Sequence, residues 1–444
     1  MSGAAPDSGS AEDPDALVRR DTVLIVAVQI DAPPPEPFAA GPLVRRWQRA
    51  DGNDVYSTAT RRAEYTSQRL APLLWDATVR WHAEVGSQEP SPAGFVRTAV
   101  ELVRLNESAL GMLRRMGTVP AANGVVLLHG SLPAVPPTQM PKVLQRCAGI
   151  DPNYRDGVQR AWVARQLPAG CRISVTEREA VYCTLITARN DLPPLNEETC
   201  PTGWSTEDLW LWHMYHATNH SPGPDSPEKL NGLRLPLLSD VRGLLGLRGL
   251  VLVGTNPDPG PGLLKNYYNG TTFHVSTLYA DALALARLHQ IMLTAFGNEV
   301  TRIASREPQH RAVAQLERDV LVFGRGYWAA NFGRRDTVAA VNRTWQASAG
   351  LPQELQDLKG DLGELSRQVQ AAETQTSNAI LGLLAAIGLP LSVGLGIWQG
   401  LPSSGLTALG RTLAVTSVVT VALLAAFPGL RRLFLDLWRD RRRE

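Results

Sequence analysis

The sequence predicts an α/β (or α+β) domain followed by long stalk helices and a C-terminal two-helix transmembrane hairpin. Three observations predict this fold class. Short β-branched runs alternate with helical patterns up to about residue 300. An apolar heptad stripe follows residue 350, and two long apolar stretches lie between residues 379 and 430.

The N-terminal part is expected to be one cytoplasmic domain over residues 22–305, with internal boundaries that the pattern does not define. Residues 1–21 are small and polar, which predicts a disordered leader rather than a cleavable signal peptide. Strands are predicted where β-branched and apolar residues cluster, with a hairpin formed by the third and fourth of them. These strands cover residues 22–30, 124–128, 171–175, 180–186 and 250–253.

Helical spacing of apolar residues predicts the helices of the domain and of the stalk. Ser205 or Thr206 is placed to cap the third of these helices, with Glu207 and Asp208 in its first turn. Beyond residue 350 the chain is expected to be helical up to the membrane, and the stalk as a whole covers residues 306–378. The predicted helices cover residues 61–84, 93–116, 206–217, 279–306 and 309–322.

Composition narrows the possible function classes. Lys and Arg total 44 against 42 Asp and Glu, and basic residues cluster only in the C-terminal tail, so nucleic acid is not an expected partner. Arginine far outnumbers lysine in a chain rich in Ala, Gly and Pro, which is typical of GC-rich, bacterial coding. The four cysteines lack C-x-x-C spacing and are expected to be reduced thiols. They are Cys147, Cys171, Cys183 and Cys200.

The stalk carries the clearest local pattern, an apolar seam with alternating four- and three-residue spacing. Its members are Leu351, Leu355, Leu358, Leu362, Leu365 and Val369, and the register continues through Ala372 and residues 376–379. Such helices pair with identical neighbours, which predicts a homo-oligomer. The alternative is a single helix whose seam packs onto its own domain. Gly360 and Gly363 weaken the helix by about 1 kcal/mol each relative to alanine.

An acidic flank, defined as Glu354, Asp357, Asp361 and Glu364, repeats with the same spacing beside the seam. In a parallel bundle each position would form a ring of carboxylates that concentrates cations at a pore mouth. The alternative interpretation is a solvated helix face.

Two apolar stretches, 379–398 and 412–430, are each long enough to cross a hydrocarbon core of about 30 Å. Arginine is concentrated in the tail, 431–444, so the positive-inside rule places both termini in the cytoplasm of a multi-pass inner-membrane protein. A pair of buried helices in a soluble core is the alternative. Small residues and a proline make the first stretch a candidate pore lining. The candidate pore-lining residues are Asn378, Gly388, Pro390, Gly394 and Gly396.

This layout resembles the CorA-type metal ion transporters over the stalk and the two spans. The local similarity comprises Asn378, Leu381, Leu384, Ile387, the Leu389-Pro390-Leu391 stretch and Gly396-Ile397. The family's Gly-Met-Asn signature is absent, since Trp398-Gln399-Gly400-Leu401 stands in its place. The resemblance implies a homopentameric, Mg²⁺-conducting pore in the lipid bilayer. The N-terminal strand and the overall layout also resemble proteins associated with bacterial caspase and TPR-repeat conflict systems.

Catalytic motifs are weak, and we expect a non-enzymatic protein without a cofactor. His213, His216 and His220 stand at i, i+3 and i+7 near the end of a predicted helix, which permits a transition-metal site or a simple packing trio. Two function classes remain. One is a membrane effector or signalling module whose cytoplasmic domain responds to a ligand or a cytoplasmic protein partner, and the other is a CorA-type divalent cation channel.

Overall fold

The apolar runs of the first 260 residues pair into one mixed sheet in the computed structural model of the chain. The structure describes residues 13–48, 55–65, 68–84, 90–117, 120–151, 158–195, 202–217, 227–235, 240–260, 267–306, 310–328 and 336–400, and after these 407, 410, 411, 414, 415, 418 and 419.

The strands of the described residues form a ten-stranded sheet and a separate two-stranded ribbon. In chain order they are β1 Leu17–Ile30, β2 Ala39–Ala40, β3 Arg46–Gln48, β4 Val55–Ser57, β5 Arg80–Glu84, β6 Val96–Arg104, β7 Gly124–Ser131, β8 Cys171–Ile173, β9 Val181–Ala188, β10 Arg234–Leu235, β11 Val241–Gly246 and β12 Gly249–Gly254. The spatial order is β10-β11-β12-β9-β1-β7-β6-β5-β2, with β8 beside β1, while β3 and β4 form the ribbon. Only the pair of β12 and β9 is parallel among these described strands.

The long strand β1 lies at the centre of this sheet. One of its edges pairs with β7, from Asp21 opposite Ser131 to Val28 opposite Gly124. Two strands pair with successive parts of the other edge: β9 pairs with residues 17–25 of β1, and β8 pairs with residues 28–30. The predicted strands at 22–30, 124–128 and 250–253 are therefore confirmed. The predicted hairpin of 171–175 and 180–186 is wrong, since both strands pair with β1 and not with each other.

Helices pack on both faces of the sheet. In chain order the described helices are α1 Thr58–Tyr65, α2 Ala71–Leu74, α3 Glu107–Arg115, α4 Met140–Ala148, α5 Val158–Gln166, α6 Thr206–His216, α7 Pro227–Leu233, α8 Tyr267–His274, α9 Ala280–Ala304, α10 His310–Gly326, α11 Asp336–Ser348 and α12 Leu351–Gly400. α4, α5 and α6 bury their apolar residues against one face, beside Leu24, Val26 and Val28 of β1. α9 packs against β1, β7 and β9, and α11 packs against α9 and β11.

Local sequence signals explain several element ends. Of the two caps predicted for α6, Ser205 is the one present, and the structure extends it to a capping box: the Ser205 side chain accepts from the Asp208 N–H and the Asp208 carboxylate accepts from the Ser205 N–H. The β11–β12 turn requires glycine at position 249, where φ is +136° and a Cβ atom would lie 1.9 Å from the Tyr182 carbonyl oxygen. A π-helical turn, Val275–Tyr279, leads directly into α9.

Two predicted helices are corrected by the structure. Residues 61–84 comprise α1, a 3-10 turn, α2 and strand β5, and residues 93–116 comprise strand β6 and the shorter helix α3. β6 is buried on both faces at its C-terminal end, so its apolar residues do not alternate and they also fit helical spacing. The boundary predicted at residue 21 is wrong, because β1 begins at Leu17, and residues 1–12 of the predicted leader lie outside the described residues.

The chain divides into two compact units. The sheet unit comprises Met1–Ser305 and Leu316–Lys359, and the C-terminal unit comprises Arg306–Gln315 and Gly360–Glu444. Part of the predicted stalk, including α11, therefore belongs to the sheet unit. The long helix expected beyond residue 350 is confirmed as α12.

Candidate functional site

The seam of α12 is buried within a single chain. Leu351, Leu355 and Leu358 are buried in the sheet unit, where α12 lies beside the C-terminal half of α10. Leu362, Leu365 and Val369 are buried in the C-terminal unit. This burial agrees with the alternative in which the seam packs onto its own chain. It leaves these side chains little surface to offer to another copy, and their role in an oligomer stays a prediction.

The acidic flank of α12 is exposed at all four positions. Asp357 accepts a hydrogen bond from the Gln353 side chain at 2.7 Å, and Glu364 pairs with Arg367 at 2.9 Å. These contacts connect neighbouring turns of one helix, and exposed pairs of this kind contribute little to stability. The four carboxylates are accessible to a partner or a cation.

The first apolar stretch, 379–398, lies within α12. Ile380, Leu381 and Leu384 are 49%, 62% and 62% exposed, which is unusual for large aliphatic side chains without a partner surface. Where side chains are described, the structure contains no helix that is both long enough and apolar enough to cross a membrane.

The candidate pore residues are described unevenly. Asn378 and Gly396 are exposed and Gly388 is half-buried, with its carbonyl accepting from the Ser392 hydroxyl at 2.6 Å. Pro390 and Gly394 lie in α12, but their surroundings fall outside the described part of the chain. Most of the second stretch, 412–430, and all of the tail, 431–444, also lie outside the described residues.

The histidine trio is not brought together as a metal site in the part of the chain that the structure describes. His213 is buried in α6, and the ring of His216 lies 4.0 Å from the ring of Trp212. Burial lowers the pKa of His216 to about 4. His220 lies outside the described residues, and the described His, Cys, Asp and Glu side chains form no group that could hold a metal ion.

A buried charge cluster, defined as Arg62, Arg80, Glu101, His129 and Asp281, is the main polar feature that the sequence analysis missed. Its five side chains come from α1, β5, β6, β7 and α9, and none is more than 3% exposed. They lie between the sheet and α9. Such complete burial of charged groups is costly unless every charge is paired.

Glu101 and Asp281 are the two acceptors of this cluster. Arg80 donates to Glu101 from Nε at 2.9 Å and from Nη2 at 2.7 Å, and from Nη1 to Asp281 at 2.7 Å. Arg62 donates from Nε to Asp281 at 2.7 Å. The Trp75 indole N–H adds a third donor to Asp281 at 3.0 Å. Asp281 therefore connects the start of α9 to α1, to β5 and to Trp75 at the C-terminal end of α2.

His129 completes the cluster as a neutral group. Its Nε2–H donates to Glu101 at 2.8 Å, and its Nδ1 has no hydrogen-bond partner among the described residues. Burial lowers the pKa of His129. Burial would by itself raise the pKa of Glu101, but Arg80 and the hydrogen bond from His129 hold it well below its ordinary value. The positive charges of the two arginines then balance the negative charges of the two carboxylates.

The pKa of Asp281 follows the same logic. Burial would raise it, but the charges of Arg62 and Arg80 lower it. A substrate cannot reach groups that are this enclosed, so the arrangement positions α9 and does not present a reactive group to solvent.

A second buried ion pair joins the sheet to the loop after β12. Arg19 Nε donates to Asp258 at 2.6 Å, and the Thr187 hydroxyl donates to the same carboxylate oxygen at 2.6 Å. The other guanidinium nitrogens of Arg19 donate to Thr272 and Asn269 on α8. Arg19 thus holds α8 and the loop after β12 against the sheet.

One sequence signal could have indicated a buried charge at this place. Glu101 and Arg104 interrupt the otherwise apolar run of 99–105, where a buried strand predicts a paired charge. The paired residues are 21 to 219 positions apart, as the pairs Arg80–Glu101 and Arg62–Asp281 show, so local spacing could not identify them.

Comparison of the chain with protein families, with curated proteins and with solved structures finds no match. The resemblances noted from the sequence therefore stay predictions.

Proposed function

We propose that this is a membrane-anchored, oligomeric, non-enzymatic protein of a bacterial conflict or stress system. In this proposal the cytoplasmic sheet unit responds to a ligand or a protein partner, and the C-terminal hairpin acts at the inner membrane as an effector or signalling module. Because the seam is buried, the copies associate through other surfaces of the chain.

One observation carries the proposal. The charge-free stretch 379–398 continues the helix that bears the seam, and it exposes Ile380, Leu381 and Leu384. Removing such side chains from water is favourable by roughly 1.5–3 kcal/mol each, and a bilayer provides an apolar environment that the described part of the chain does not. The arginine-rich tail supports a cytoplasmic C-terminus.

A second candidate function is a CorA-type divalent cation (Mg²⁺) channel. The exposure of Glu354, Asp357, Asp361 and Glu364 favours it, because a parallel assembly would surround its axis with carboxylates. The replacement of the Gly-Met-Asn signature by Trp398-Gln399-Gly400 argues for the effector instead.

Flotation with liposomes tests the membrane anchor. The full-length protein should float with the vesicles, and Leu381→Glu/Leu384→Glu should reduce the floating fraction, since each buried charge costs about 2.5–3.5 kcal/mol. Gln370→Glu, at an exposed position earlier in α12, is the matched control and should float like the wild type. Sedimentation of the wild type away from the vesicles would contradict the proposal.

Ion flux through the same liposomes separates the two functions. Selective Mg²⁺ flux by the purified protein would support the channel. Absence of flux, or unselective leakage that requires a cytoplasmic partner, would support the effector or signalling module. Polar thiol reagents applied to cysteines at positions 388, 394 and 396 would show whether this helix face borders water.

A further inference from the structure

A groove of about 370 Å³ opens between α10 and the first turns of α12, within the sheet unit. Leu321 of α10, Trp328 just after α10, and Pro352 and Leu355 of α12 line its apolar part. Arg325 and Lys359 also line it, and both side chains are exposed. The groove thus combines an apolar floor with two cationic groups.

Apolar surface continues beside the groove. Leu321 is 57% exposed and its neighbour Val322 is 42% exposed. Trp328 is half-buried, and its ring packs against His289, with ring centroids 5.3 Å apart. An aromatic ring held in place beside exposed aliphatic side chains is typical of the centre of a protein interface.

The groove and the acidic flank lie on opposite sides of the seam. At roughly 100° per residue, Pro352, Gln356 and Lys359 lie about a quarter-turn to one side of the seam leucines. Glu354, Asp357 and Asp361 lie about a quarter-turn to the other side by the same geometry. Each chain therefore presents a basic, apolar flank and an acidic flank on the same stretch of α12.

The two flanks also lie at the same level along the helix. Glu354 and Asp357 fall within the 352–359 span that contributes to the groove. Two parallel copies placed side by side, without an axial offset, would bring the carboxylates of one chain opposite Arg325 and Lys359 of the next. Membrane anchoring through the same segment of α12 would impose this parallel alignment.

We propose that the groove binds the acidic flank of α12 from a second copy of this chain. The inference rests on the proposed function, because it is the shared membrane anchor that aligns the copies. Groove and flank are different surfaces, so the contact is head to tail. Because the shared membrane plane excludes the axial rise of an open helical filament, the copies close into a ring. The ring uses the flanks of α12, while the seam leucines stay buried inside each chain.

Charge complementarity sets the specificity of this contact. Glu354 and Asp357 face Arg325 and Lys359, and Leu321 and Val322 lose water as the flank approaches. Like charges placed opposite each other repel, so reversing either surface should dissociate the ring, and reversing both should restore it.

Charge reversal in the full-length protein tests the inference. The groove variant is Arg325→Glu/Lys359→Glu and the flank variant is Glu354→Lys/Asp357→Lys. Each alone should raise the dissociation constant of the oligomer at least tenfold, measured as mass against concentration by light scattering in detergent. An equimolar mixture should form oligomers again, and these should have the wild-type mass if the ring has an even number of copies. The acidic flank of the groove variant fits the basic groove of the flank variant, and the two reversed surfaces also match.

Arg318→Glu, an exposed residue of α10 that does not line the groove, is the matched control and should leave the mass unchanged. Recovery in the mixture also shows that both variants are folded, and the milder Arg325→Gln/Lys359→Gln should weaken the oligomer in the same direction. A wild-type monomer, reversal variants that keep the wild-type mass, or a mixture that stays dissociated would overturn the inference.

Flotation of the same samples keeps the two proposals distinguishable. A wild-type protein that floats but is monomeric overturns the ring and leaves the membrane anchor intact. A protein that assembles through these surfaces but does not float retains the groove–flank contact and overturns the proposed function.

Discussion

Charged side chains serve opposite purposes in the buried charge cluster and on the acidic flank of α12. In the cluster, Asp281 accepts from Arg62, Arg80 and Trp75, and no member contacts solvent appreciably. On the flank, Asp357 bonds only to a side chain one turn away among the described residues, and it is exposed. A carboxylate whose partners come from distant elements holds those elements together. A carboxylate whose partner lies one turn away on the same helix remains exposed and available for binding.

The largest expected effect comes from Asp281→Ala. It leaves two buried arginines without their shared acceptor, and breaking a buried pair in this way costs about 3–5 kcal/mol. Asp357→Ala, on the flank, should change the free energy of unfolding by no more than about 0.5 kcal/mol. Chemical denaturation of both variants measures the two changes in the free energy of unfolding. Equal changes would contradict the view that the buried carboxylate stabilises the fold and the exposed one does not.

The pH dependence of stability sharpens the comparison further. The folded pKa of His129 lies below its ordinary value of about 6.5, so below that pH the unfolded chain binds a proton that the folded chain does not. Stability should therefore fall as the pH drops from about 6.5 towards the folded pKa, by up to about 1.4 kcal/mol per pH unit.

His129→Gln isolates this contribution, because His216 and His289, whose pKa values burial lowers to about 4, remain in both proteins. The variant should lose less stability than the wild type between pH 7 and pH 5. The carboxylates Glu101 and Asp281 do not interfere, since their stabilising contribution is lost only at lower pH. Parallel curves for the two proteins would show that His129 does not titrate differently on folding.

A smaller effect is expected for Trp75→Phe. The substitution removes the indole donor to Asp281 and keeps most of the ring, so the loss should be about 1 kcal/mol, the net contribution of one hydrogen bond. Thermal unfolding measures it, with Trp204→Phe as a control at a half-buried ring outside the cluster. An unchanged unfolding temperature would mean that the two arginines suffice to hold Asp281.

The smallest effect concerns the exposed face of α12. At Gly360 a Cβ atom would meet nothing within 4 Å, so Gly360→Ala should stabilise the protein by about 0.5–1 kcal/mol through helix propensity. Denaturant titration tests this. A loss of stability would indicate that this face of the helix is covered in the folded protein.

The sequence predicted correctly those elements whose signals lie in their own residues and do not depend on the elements they pack against. The β-branched run after Asp21 and the capping residue Ser205 carry their own signals, and the strand and the capped helix α6 formed where they were predicted, although β1 begins earlier, at Leu17. The strand β6 was predicted as a helix, because burial on both faces removes the two-residue alternation. The buried charge cluster depends on five separate elements, and single-sequence spacing contains no such information.

The position of β1 has a consequence for how the chain folds during synthesis. Its neighbours β7, β8 and β9 begin at residues 124, 171 and 181, so the apolar strand at 17–30 leaves the ribosome long before either of its edges can be paired. Such distant pairing slows folding, and an unpaired apolar strand promotes aggregation. We therefore expect the nascent chain to depend on chaperones until about residue 188 has emerged, and truncations ending before β9 to accumulate as aggregates.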